Sequence, residues 1–100
     1  MIIFYVPCKN KAEAKTIAKT LLEKKLIACA NVLPIDSMYY WEGKFKENKE
    51  VVLLLKTLNH VEEEVKQEIK ELHSYEVPAI IRINTRVNSE YLAWAEEQVE

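Results

Sequence analysis

Glycine is nearly missing from this chain: Gly43 is the only one among 100 residues. That excludes a glycine-rich cradle for phosphate, because no loop has the free backbone such a cradle needs. Cysteine is almost as scarce. Cys8 and Cys29 are the only two and form no CxxC pair, so the thiol pair of a small metallochaperone is absent, and free thiols in a reducing cytosol are expected. There is no excess of charge, the net value being -2, so nothing draws the chain as a whole to nucleic acid or to an anionic membrane. The apolar run Ile2 to Val6 is too short to span a bilayer and lacks a basic leader. These absences point to a cytoplasmic protein with no membrane and no nucleic-acid partner. No Ser/His/Asp set and no carboxylate pair stands at a meaningful spacing, which argues against an enzyme. What is present is 49% apolar and 30% charged residues, the balance of one globular domain over residues 1–100.

The lone glycine marks the main feature. Ala28 to Trp41 and Phe45 to Thr57 read as the arms of one long β-hairpin, with Glu42-Gly43-Lys44 at its tip. A fourteen-residue arm at about 3.3 Å per residue reaches roughly 45 Å, while a compact domain of this size has a radius of gyration of about 13 Å. The hairpin is therefore expected to bend, with a break or bulge near Pro34–Ser37, and to have its far end covered by another chain. Around it, Ile2 to Val6 reads as a central strand that Pro7 ends. Lys11 to Lys25 carries Ala14, Ile17, Ala18, Leu21 and Leu22 at helical spacing behind an Asn10 cap. Leu58 to His73, capped by Asn59, carries Val61, Val65, Ile69 and Leu72. Val77 to Val87 alternates as a strand, and Asn88 caps a last helix from Ser89 to Val99. The order βαββαβ plus a C-terminal helix predicts an α+β, ferredoxin-like sandwich with antiparallel strand order 4-1-3-2.

That topology gathers Cys8, after strand 1, and His73 with Glu76, before strand 4, toward one edge. Thiol, imidazole and carboxylate are ligand types for copper, zinc and similar ions. The same residues also have plainer roles: a histidine at a helix C-terminus complements the helix dipole, and Glu76 suits a solvated loop. Tyr39, Tyr40 and Trp41 fit either base stacking or a subunit interface. The overlong hairpin favours the interface. An RNA-binding domain of the same topology needs an aromatic third strand, and Val51 to Lys56 is aliphatic.

Five blocks in order carry a family resemblance: Ile27-Ala28-Cys29-Ala30-Asn31, Tyr40-Trp41-Glu42-Gly43-Lys44, Leu55-Lys56-Thr57, His73-Ser74-Tyr75-Glu76-Val77-Pro78 and Tyr91-Leu92-Ala93-Trp94. Across essentially its whole length the chain resembles the CutA family of divalent-cation tolerance proteins. The resemblance implies a tight homotrimer with strands extending across subunit boundaries. It also implies a role in tolerance of divalent cations, Cu2+ first among them, with no metal required for folding. A PII-like signalling or small-molecule sensor role is the alternative it raises. The family's metal-binding residues are implied to be a cysteine near the end of strand 1 and the histidine of the H-x-Y-x-x-P block. His73 matches that block. Cys8 stands one residue beyond the aligned position, which Pro7 occupies, and Ser74 stands where the family often has proline.

Overall fold

The computed structural model describes residues 1–100. Its elements run β1 (Ile2–Cys8), α1 (Lys11–Glu23), β2 (Cys29–Trp41), β3 (Lys44–Thr57), a 3-10 turn (Asn59–Val61), α2 (Glu62–Leu72), β4 (Ile81–Asn84) and α3 (Ser89–Gln98). The sheet order is β2-β3-β1-β4 with every neighbouring pair antiparallel. This is the expected ferredoxin-like arrangement.

The core forms where the period-2 face of the sheet meets the period-3.6 faces of the helices. Ile2, Phe4, Val6 and Cys8 of β1 and Leu53 and Leu55 of β3 are buried against Ala14, Ile17 and Leu21 of α1 and Val65 and Ile69 of α2. The opposite face of β1, at Ile3, Tyr5 and Pro7, is only half-buried, where the apolar run of the sequence suggests cover on both faces. Asn10 caps α1 as expected, its Oδ1 accepting the Glu13 N–H at 2.9 Å. The helix ends with Lys25 at φ 57°, its N–H donating to Leu22 and that of Leu26 to Leu21. This is a Schellman closure in which lysine occupies the usual glycine position.

Several boundaries differ from those expected, each for a local reason. β1 continues through Pro7 to Cys8, because β4 pairs only with Ile2 to Tyr5 and leaves no ladder bond for Pro7 to donate on that side. For the same reason β4 is confined to Ile81–Asn84. The expected break near Pro34 is absent. The β2–β3 register runs unbroken from Cys29↔Lys56 through Pro34↔Val51 to Trp41↔Lys44. β2 is the edge strand, so Pro34 sits where a missing donor disturbs no second ladder. Asn59 and Asn88 do not cap their helices through their side chains; the Asn59 Oδ1 instead accepts from Arg82 at 2.9 Å.

The hairpin closes through Glu42 and Gly43, both at positive φ, 51° and 76°. This is the type I′ pattern whose twist matches the strands. From Ile35↔Glu50 outward the ladder has only two strands, since β1 stops at Cys8↔Val51. The overall extents of 46 × 25 × 21 Å reflect that projection.

Candidate functional site: a buried Cys8–Glu13–His73 cluster

The cluster is assembled by three chain ends. β1 delivers Cys8 in its last position, with the side chain on the buried face. One turn into α1, the Asn10 cap fixes Glu13 over the end of that strand. α2 ends at His73, whose N–H donates to Ile69 O at 2.9 Å, and the chain leaves the helix with its imidazole turned inward.

His73 stands in for the missing part of β4. Its Nε2 lies 2.8 Å from Pro7 O, the carbonyl left free where β4 has already ended. The Tyr75 N–H donates to Nδ1 at 3.1 Å. A backbone N–H can only donate, so Nδ1 carries the lone pair and Nε2 carries the proton given to Pro7. The His73 side chain is wholly buried, and its Nδ1 lies 3.9 Å from Glu13 Oε1.

Glu13 accepts two backbone donors, Lys9 N–H on Oε1 at 3.0 Å and Ser74 N–H on Oε2 at 2.9 Å. Partial burial works to raise its pKa, but the hydrogen bonds from Ser74 and Lys9 outweigh it, and the carboxyl sits below its ordinary value. Cys8 is affected in the opposite sense. Desolvation, helped by Glu13 and Glu50, pushes its thiol up to about 12, and the S–H points to Val6 O at 3.6 Å.

One sulfur, one carboxylate oxygen and one ring nitrogen of these three residues lie within 4.8 Å of one another. Such a mixed soft and borderline donor set suits Cu or Zn better than Mg or Ca. The structure therefore brings together two of the three expected ligands, Cys8 and His73. Glu76 is exposed and is not a member of the cluster; Glu13 is the carboxylate that is. In the sequence Glu13 stands three residues after the Asn10 cap, a spacing that marks a helix start and no more. That spacing does not tell that the first turn of α1 lies over the end of β1.

Tyr75 extends the network outward. Its ring lies 4.7 Å from that of His73, and its hydroxyl donates to Glu50 Oε2 at 2.5 Å. Desolvation and this carboxylate raise the phenol well above its ordinary value. The other candidates stand apart. Cys29 is a half-buried free thiol, and His60 contacts Glu100 O at 2.8 Å. On the hairpin, Tyr39, Tyr40 and Trp41 are exposed, Tyr40 at 74%. Tyr40 meets Phe45 edge-on at 5.8 Å, and the Tyr39 hydroxyl accepts from Asn48 at 2.5 Å.

Fold and site together define a ferredoxin-like protein with a projecting hairpin and a buried donor cluster at the end of its first strand. The family profile described as CutA1 divalent ion tolerance protein matches residues 2–98. The divalent-cation tolerance protein CutA of Pyrococcus horikoshii is 48% identical over 101 residues, covering 100% of this chain and 99% of that one. That of Archaeoglobus fulgidus is 43% identical over 97 residues, covering 96% and 95%. The crystal structure of CutA1 from Pyrococcus horikoshii superposes with a TM-score of 0.96 at 48% identity, covering 100% of this chain and 99% of that one. The chain belongs to the CutA1 divalent ion tolerance family. No helix in it is long and apolar enough to cross a membrane.

Proposed function

We propose that the chain is a non-enzymatic, homotrimeric binder of divalent metal ions that serves metal tolerance, with Cu2+ its preferred ion. The carrying observation is the convergence of Cys8, Glu13 and His73 donors within 4.8 Å. The Irving–Williams order places Cu2+ above the other first-row divalent ions at such a set. The cation displaces the Cys8 proton to solvent and takes the Nδ1 lone pair of His73. Trimer assembly is supported by the exposed apolar side chains of the hairpin, Leu33, Met38, Tyr40, Trp41 and Phe45, which a second chain would cover. A reducing cytoplasm accords with two free thiols, whereas the CutA of Archaeoglobus fulgidus is a periplasmic protein.

Titration calorimetry with Cu2+ and Zn2+ tests the proposal. His73→Ala is expected to weaken binding by at least about tenfold, the scale of losing one directing group at a metal site, and unchanged affinity contradicts it. Parallel Glu13→Ala and Glu76→Ala titrations identify the carboxylate, with the loss expected at Glu13.

A second role, as a PII-like small-molecule sensor, has one observation in its favour. A cleft of about 450 Å3 lies between Lys9–Lys11 and the hairpin base at Pro34–Asp36 and Lys49–Val51. A metabolite bound there would raise the melting temperature, and a flat response across a broad panel of metabolites argues against this role.

A further inference from the structure

We infer that occupancy of the Cys8–Glu13–His73 cluster is transmitted to the base of the hairpin through Tyr75, so that the cation site controls the element that projects toward other chains. This rests on reading the cluster as a cation site. It follows from which lone pairs are free. A neutral imidazole has one lone pair, and at His73 it is taken by the Tyr75 N–H, because Nε2 gives its proton to Pro7 O. Both Glu13 oxygens already hold backbone donors, and one of these is the Ser74 N–H. A cation bound by Nδ1 displaces the Tyr75 N–H, whereas the Glu13 carboxylate, with about four lone-pair sites for two backbone donors, has room for a cation without releasing Ser74. That Tyr75 hydrogen bond fixes Tyr75 to the cluster, and no helix or strand holds it otherwise, since residues 73 to 80 lie outside the regular elements.

The freed segment is tied to the hairpin by one side chain. Tyr75 Oη donates to Glu50 Oε2 at 2.5 Å, and Glu50 pairs with Ile35. That rung is the first beyond β1's last partner, Cys8↔Val51. The Tyr75–Glu50 bond therefore acts at the point where the hairpin leaves the three-stranded part of the sheet. When a cation takes Nδ1, Tyr75 shifts, Glu50 is released, and the two-stranded arm loses a restraint at its root.

Hydrogen exchange with and without Zn2+, a diamagnetic probe, tests the coupling alongside calorimetry on the same samples. Zn2+ is expected to speed exchange of the Tyr75 amide and of the rungs around Ile35 and Glu50 by about fivefold to tenfold, the effect of losing one hydrogen bond. Ordinary ligand stabilisation slows exchange instead. Tyr75→Phe is expected to exchange fast at the hairpin base without metal, to show no further response to Zn2+, and to bind Zn2+ about fivefold to tenfold more tightly than wild type, because coupling is reciprocal and the variant has no Tyr75–Glu50 bond to break. Zn2+ binding with unchanged or slower exchange at the hairpin base overturns the coupling while leaving the cation site standing. No heat of Zn2+ binding in the wild type overturns the site and the coupling with it.

Discussion

Glu13 links three parts of the chain: it follows the Asn10 cap, accepts the Lys9 and Ser74 backbone donors, and faces His73. Its carboxyl is held below the ordinary value, so the folded state favours the charged form. The associated stability is present above the unfolded value of about 4.3 and is lost as pH falls through the lowered folded value. Glu13→Gln keeps one acceptor oxygen and is expected to cost about 1 kcal/mol at neutral pH and progressively less as the pH of the urea titration falls below the unfolded value. A loss that stays constant as pH falls to the point of acid unfolding contradicts this. Cys8 gives the mirror case. Its raised value of about 12 stabilises the fold fully below the unfolded thiol's value of about 8.5, and that contribution falls away as pH rises toward the folded value. Cys8→Ala is expected to flatten the alkaline limb of the stability curve. Cys8 and His73 were legible in the sequence as donor types brought to one edge. Glu13 was not, because helical spacing tells which residues share a face but not which strand end that face covers. Nor was the role of Pro7, whose missing N–H matters only once β4 is known to stop at the level of Tyr5.

The hairpin was legible as an element because a single glycine marked its turn and long β-compatible arms flanked it. Its straightness was not. Pro34, with no N–H to donate, suggests a break or bulge near Pro34–Ser37, and it fits the unbroken ladder because β2 is an edge strand with no second ladder to disturb. β4 was overestimated since Val77 to Val87 alternates well beyond the length that β1 offers for pairing. Scarcity of glycine also forces ordinary residues into left-handed positions, Lys25 at the end of α1 and Glu42 at the hairpin turn. Lys25→Gly keeps the Schellman bonds and removes the Cβ conflict. It is expected to stabilise the protein by about 0.5–1 kcal/mol, seen as a higher melting temperature; an unchanged or lower value contradicts the assignment of strain at this position.

At the scale of the whole molecule, helices cover one face of the sheet and leave the other half-open. A two-stranded arm with exposed aromatic side chains projects past the last rung of β1. An isolated two-stranded ribbon is marginal in water, and exposed apolar area of this kind marks a contact surface. Tyr40→Lys with Trp41→Lys is expected to weaken self-association, read as dissociation at higher protein concentration in sedimentation. The proposed assembly is three copies of an 11.7 kDa chain, each holding one cation at Cys8, Glu13 and His73. Native mass spectrometry with added Zn2+ tests it most directly. The account predicts a trimer carrying three zinc ions, and a trimer of the His73→Ala variant carrying none. A monomer, or a variant that takes up as much zinc as the wild type, contradicts it.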